Sequence, residues 1–287
     1  MSLIPRGRGG MKAAMAQQQI HQIDLSRLRP AHKVPRFATL RTVTALILRE
    51  MASTYGRRPG GYLWAVLEPV GGIAAMTILF SLFLHTPPLG TNFVMFYATG
   101  LLPFMMFTSV NAKLATALTY SRQLLAYPRV TIVDALVARL LLQAITQIIV
   151  TIVTLGGILV LFDTGTTFVF DKVILASLMA IGLATGCGIL NCLLVSVIPF
   201  WQGVWSVLTR PLLIISGVIF VFDAIPMPFR DWIWFNPLIQ IVGTMRAGFY
   251  PNYDDSYVSV SYVAAVSLIP AVVGMLFLRR YYRDFRL

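Results

Sequence analysis

The chain has 287 residues, 57% of them apolar and only 12% charged, where a soluble domain runs nearer ~45–50% and ~25%. With a mean hydropathy of +0.76 and two cysteines, this composition excludes a disordered chain and a disulfide-stapled secreted domain, and it points to a polytopic membrane protein with room for roughly six or seven spans of about 20 residues. The net charge of +12 would suggest nucleic acid in a soluble protein, but the bases gather between apolar runs rather than along a groove-binding stripe, so no nucleic-acid partner is expected.

Residues 1–37 are polar and basic and read as a cytoplasmic tail. No apolar run follows them closely enough for a signal peptide, so no cleaved leader is expected. Residues 38–60 read as an amphipathic interface segment, helical over 38–58. Leu40, Val43, Ile47 and Met51 share one face at helical spacing, and Arg41 and Arg49 point away, the pattern of a helix lying in a membrane interface. Residues 61–287 then form an all-α membrane domain.

Six apolar spans are predicted, at about 63–84, 94–112, 136–162, 173–198, 204–222 and 258–278, each long enough to cross at 1.5 Å per residue. The fifth is interrupted by Arg210 and Pro211. It is expected to start nearer Leu212 and run short, or to begin as a cytosolic-side helix. Between spans five and six, residues 223–257 are punctuated by Pro226, Pro228, Pro237 and Pro251. Two half-apolar stretches, 229–235 and 238–249, predict a re-entrant helical hairpin on the outer side, since non-spanning helices at membrane depth are tolerated when protein buries them. Its Trp and Tyr content suits the interfacial aromatic belt.

Orientation follows from the bias of Lys and Arg. With the N-terminus inside, 20 of the 23 bases fall on the cytoplasmic side, including Arg279, Arg280 and Arg283 after the last span. An even number of spans brings the C-terminus back to the cytoplasm. The outer segments keep Lys172, Arg230 and Arg246 beside Asp163, Asp171, Asp223, Asp231, Asp254 and Asp255.

The chemistry is sparse. No Gly-x-x-x-x-Gly-Lys-Ser/Thr sequence is present to cradle ATP phosphates. His21, His32 and His85 are scattered, so no metal site is expected. Cys187 and Cys192 read as buried small hydrophobes. Glu68, Asp134 and Arg139 lie near the cytosolic ends of their spans, with no carboxylate deeper in to drive a proton carrier. Along the third span Arg139, Gln143, Gln147, Thr151 and Thr154 fall within one arc, which serves either interhelical hydrogen bonding or a polar path. Gly182 and Gly186 in the fourth span allow close helix approach. Phe93, Phe96, Tyr97, Phe104 and Phe107 in the second span suit packing or a stacking surface for sugar rings. Trp201 and Trp205 sit one turn apart, where an inner-interface position is usual for Trp.

Three stretches resemble a known family. Gly61-Tyr62-Leu63-Trp64-Ala65-Val66-Leu67-Glu68-Pro69 is similar to the entry to the first span in type 2 ABC exporter permeases. Ser121 to Val130 followed by Asp134 to Arg139 resembles their coupling region. Trp234-Phe235-Asn236-Pro237-Leu238 with Arg246 to Tyr253 is similar to the capsular polysaccharide export branch. The resemblance covers about residues 38–287. It implies a permease subunit of the bacterial inner membrane that pairs with a second copy of itself and docks two separate ATPase subunits. Those partners would bind ATP and Mg, leaving no cofactor in this chain. Residues 114–129 would supply a coupling helix, with Leu124, Leu125 and Tyr127 plugging a cleft of the ATPase and Arg122, Gln123, Pro128 and Arg129 around them.

The same resemblance implies a polysaccharide path between the first, second and fifth spans, touched by Trp64, Glu68, Phe96, Tyr97, Phe104 and Phe107 and, towards the outside, by Trp232, Trp234 and Arg246. A periplasmic copolymerase and an outer-membrane channel are the further partners it suggests. An O-antigen, teichoic-acid or drug exporter of the same fold is the alternative. A membrane-embedded transferase on lipid-linked sugars is the more distant one, because it would need a recessed acid or His as base.

Overall fold

The computed structural model describes residues 38–54, 61–125 and 130–284, and Thr39–Leu287 forms one compact unit. Every regular element among the described residues is helical. In chain order these are α1 (Ala38–Thr54), α2 (Gly61–Ser81), α3 (Phe93–Ala115), α4 (Ala117–Leu125), α5 (Ile132–Leu161), α6 (Phe170–Val197), α7 (Trp201–Ile215), a 3-10 turn at Phe222–Ala224, α8 (Phe229–Trp234), α9 (Pro237–Ala247) and α10 (Val260–Asp284).

Five of these helices are long and apolar enough to cross a membrane: Leu63–Ser81, Phe93–Ala115, Ile132–Leu161, Phe170–Val197 and Val260–Arg280. They correspond to the expected spans one to four and six. The expected fifth span, 204–222, is instead the 15-residue α7 followed by a turn. Arg210 and Pro211 do not break it: the helix runs unbroken through the proline. What ends it is the chain reversal after Ser216, where Gly217 adopts φ +74°, a left-handed conformation that favours glycine.

α3 is the central post. Of its apolar window, 72% is buried within the chain, against 11% for α2 and for α10. It packs against α2, α5, α6 and α9, and Phe96, Tyr97, Met106 and Leu114 on it are almost fully enclosed. Two caps fix the register of the neighbouring spans. Asn92 Oδ1 accepts from Val94 N at the start of α3. Thr131 and Asp134 form a reciprocal capping box at the start of α5, which satisfies two helix-end donors at once. Asp134, a rare acid beside a span, is thus a cap.

The tightest seam joins α6 to α10. A Cβ built on Gly186 would lie 1.9 Å from the Ser267 carbonyl oxygen, so only glycine lets the two backbones approach so closely.

Beyond α7 the chain folds into a small cap over the ends of α3 and α6. Asn236 Oδ1 caps α9 by accepting from Leu238 N, and Asn236 Nδ2 donates to Ile215 O at the end of α7. Gln240 is fully buried, donating to Trp234 O and accepting from Ser259 N. Residues 238–246 are all buried, so α9, too short to span, is enclosed by protein.

Candidate functional site

A cavity of about 530 Å³ opens between α3 and α7. Phe104, Thr108, Ala112, Ala115 and Thr116 line it from α3, and Gln202, Trp205, Ser206, Thr209, Arg210 and Leu213 from α7. Each set falls at three- and four-residue spacing, so each is one helical stripe. The walls are mostly apolar, with hydroxyl and amide groups from Thr108, Thr116, Gln202, Ser206 and Thr209 set into them. Among the described residues no carboxylate lines the groove, and Arg210 is its one charged lining residue. Arg210 is exposed and takes part in none of the ion pairs found among the described residues.

A buried polar relay holds α7 in place. Trp201 Nε1 donates to Asn191 Oδ1 at 2.9 Å, and Asn191 Nδ2 donates to Asn111 Oδ1 at 3.1 Å. The first residue of α7 is thereby tied through α6 to α3, beside the groove-lining Ala112 and Gln202.

At the other end of α7, Arg246 of α9 is fully buried. It donates to Phe220 O at 2.7 Å and to Val218 O at 3.1 Å, carbonyls of the turn that terminates α7. Its guanidinium lies 4.3 Å from the Phe96 ring centroid, a cation–π contact strengthened by desolvation. Arg246 Nε and the hydroxyls of Tyr97 and Tyr250 have no hydrogen-bond partner among the described residues. Burial pushes the Tyr250 phenol up to about 12, so the ring beside the arginine stays neutral.

A third cluster lies where α1, α3, α4 and α5 meet. Arg139 Nε donates to Glu50 Oε1 at 2.9 Å. Its Nη1 donates to Lys113 O at 2.9 Å and to Thr116 Oγ1 at 3.2 Å, and its guanidinium stacks 4.3 Å from the Tyr120 ring. One side chain of α5 therefore reaches three other helices, and Thr116 also lines the groove.

The expected path residues divide. Phe104 lines the groove. Phe107 is buried in the core, and Phe96 and Tyr97 are enclosed around Arg246. Trp64 and Glu68 are exposed on α2, and Trp232 is 79% exposed on α8. Trp234 is half-buried and donates Nε1 to Tyr257 O at 2.8 Å. Of the expected coupling segment, Arg122, Gln123, Leu124 and Leu125 occupy the last turn of α4. Tyr127, Pro128 and Arg129 lie outside the described residues. The α7 stripe is masked in the sequence by Arg210-Pro211, which reads as an interruption of the span. Its signal was the recurrence of polar or aromatic residues at 202, 205, 206 and 209.

Long apolar helices around a groove with a few polar groups on its walls are the build of a membrane permease domain. Residues 41–250 match the ABC-2 type transporter membrane family, and the chain belongs to that family. It is 30% identical over 237 residues to the polysialic acid transport protein KpsM of Escherichia coli, covering 82% of this chain and 91% of that protein. It is 25% identical over 244 residues to the capsule polysaccharide export inner-membrane protein BexB of Haemophilus influenzae, covering 84% and 91%. With CtrC of Neisseria meningitidis serogroup A, which bears the same description, it shares 23% identity over 241 residues, covering 84% and 91%.

Proposed function

We propose that this chain is the permease subunit of an ATP-driven exporter that moves capsular polysaccharide across the bacterial inner membrane. The observation that carries the reading is the extent of the likeness: relatives named for polysaccharide transport or export align over 82–84% of this chain and 91% of their own length. The α3–α7 groove is the glycan path in this account. Its hydroxyl and amide groups meet sugar hydroxyls, and Phe104 and Trp205 offer ring faces. Contacts along such a path stay weak, because conduction needs release as well as entry.

Two copies pair around the path, and each docks a separate ATPase through α4 and the segment after it. ATP and Mg belong to that partner. α1 lies in the cytoplasmic interface, with Arg41 and Arg49 exposed and Val43 buried. α7, about 22 Å long at 1.5 Å per residue, makes the sixth crossing together with the turn that follows it, and α8 and α9 form a re-entrant cap. The parity supports this, since bases crowd both ends of the domain and the positive-inside rule puts both on the cytoplasmic side.

The test is complementation. In a strain deleted for its own capsule-export permease, this chain with its cognate ATPase should restore surface polymer. Polymer retained in the cytoplasm, with both proteins present in the membrane, would count against the reading.

A further inference from the structure

We infer that Arg210 forms an ion pair with Glu68 of the partner subunit, so that α2 of one copy packs on α7 of the other and completes the wall of the α3–α7 groove at Arg210. The inference rests on the two-copy permease reading above and assigns the charged contact of its subunit seam.

Two opposite charges are left uncompensated within one copy. Glu68 is exposed on α2, and Arg210 is exposed on α7. None of the ion pairs found among the described residues includes either one. Neighbouring ionisable groups are engaged or lie elsewhere. Glu50 holds Arg139, Asp134 caps α5, and Lys113, Arg279 and Arg280 sit towards the cytoplasmic ends of their helices. An ionisable side chain within a span is costly against lipid, so it faces the bundle interior, a wet cavity or a charged partner. Arg210 faces the groove. Glu68 faces away from its own core, on an outward side of α2 shared with Trp64, Gly71 and Ala75.

The helices that carry these charges are poorly covered by their own chain. α7 contains no buried residue, and α2 buries only 11% of its apolar window. Gly203, Val207, Arg210 and Ile214 share one exposed side of α7. A Cβ added at Gly71 or at Gly203 would meet nothing within 4 Å, and small residues on an outward side let two helices approach closely. The depths also match. Both helices start at the cytoplasmic face in the proposed topology, with Glu68 about 10 Å and Arg210 about 14 Å from the first residue of its helix at 1.5 Å per residue. An arginine side chain bends back towards the nearer surface, which brings its guanidinium to the level of the carboxylate. Charge complementarity therefore selects the occupant: lipid tails offer Glu68 no cation, whereas a second copy offers Arg210 at the same depth. Two-fold symmetry makes the contact self-complementary, each copy giving one acid and one base to two equivalent pairs.

The test co-expresses two differently tagged copies of the chain with the cognate ATPase and reads capture of one tag with the other from a detergent extract. Glu68→Arg alone and Arg210→Glu alone each set like charges against each other and should weaken that association about tenfold, ~1.4 kcal/mol. The double variant restores opposite charges and should bring it back. No loss in either single variant, or no recovery in the double, overturns the inference. A second arm replaces the native Cys187 and Cys192 with Ala, places Glu68→Cys in one tagged copy and Arg210→Cys in the other, and adds a short bifunctional thiol reagent. A product carrying both tags is expected, and this arm decides the matter where a charge variant fails to reach the membrane. Glu68→Cys copies that link only to each other overturn the pairing, as does linkage confined within a single chain bearing both substitutions. Surface polymer made by the wild-type cells reports on the permease reading separately. Polymer exported by copies that show neither charge rescue nor the mixed product leaves that reading intact and overturns this inference. Absent polymer with the mixed product present overturns the export reading and supports the subunit seam.

Discussion

Arg139 and Glu50 stand 89 positions apart in the chain and meet at 2.9 Å with both side chains largely out of solvent. The pair joins α1 to α5, and the same guanidinium grips the carbonyl of Lys113 and the ring of Tyr120. A rotation of α4 cannot leave α1 and the foot of α3 undisturbed, because one planar group holds all three. If α4 docks an ATPase as proposed, a movement of α4 would be felt through this side chain at Thr116, which also lines the groove.

Removing one partner of a buried pair strands the other, which typically costs 3–5 kcal/mol. Glu50→Ala and Arg139→Ala should each lower the melting temperature of the detergent-solubilised protein, and the double variant should be no worse than the more damaged single. Arg139→Lys should rescue little, because lysine lacks the fork that reaches several acceptors at once. Additive losses in a double-mutant cycle would show that the pair is not coupled.

The α6–α10 seam makes a sharper stability prediction. Gly186→Ala places a methyl 1.9 Å from a backbone oxygen, whereas at Gly182 the nearest atom is Ser267 Oγ at 4.0 Å. Overpacking of this kind costs about 1–3 kcal/mol, occasionally more. Gly186→Ala should reduce the yield of monodisperse protein on size exclusion, and Gly182→Ala should not. Equal behaviour of the two would mean the seam is looser than described.

Trp201→Phe keeps a six-membered aromatic ring at some loss of volume and deletes the donor to Asn191. It leaves a buried acceptor unsatisfied, a penalty of about 1–3 kcal/mol, and it loosens the first turn of α7. Membrane insertion should be normal and export rate reduced, with cysteine accessibility at position 202 increased. Unchanged accessibility would remove the relay from the account of the groove.

If the segment from Arg122 to Arg129 docks the ATPase as proposed, Arg122→Glu and Arg129→Glu should weaken co-purification of that subunit. Undiminished co-purification would reduce the segment to a topological anchor.

On the outer side, Trp232 is 79% exposed, so Trp232→Ala should change stability by no more than about 0.5 kcal/mol. A fall in surface polymer at normal protein level would give the ring a part in export. Normal surface polymer would leave it resting on headgroups.

Apolar length made the four long spans before the outer cap and the last one legible in the sequence, because a run of 20 apolar residues has few soluble alternatives. The alignment of residue types also marked Gly186 for close approach, and the contact with Ser267 bears this out. The end of α7 was less legible. A helix that stops at Ile215 and one that runs to residue 222 present the same apolar string, and the deciding residue is Gly217, whose left-handed φ becomes visible only once the chain has turned. Arg246 shows the other limit. Its sequence neighbourhood suggested an outward contact, while in the fold it closes the turn after α7 from a helix 22 residues further on. Long-range pairings such as Glu50 with Arg139 leave no local pattern at all. The groove itself was half legible: Phe104 stood out as an aromatic, whereas the stripe from Gln202 to Leu213 needed the helix to run unbroken through Pro211 before its spacing acquired meaning.

The most direct measurement of the central claim is ATP-dependent movement of capsular polysaccharide into inverted inner-membrane vesicles containing this chain and its ATPase. The account predicts that polymer becomes protected from an added glycanase only when both proteins and ATP are present, and that the purified chain alone hydrolyses no ATP. Protection that is independent of ATP, or absent from vesicles in which the complex is assembled and hydrolysing, would contradict it.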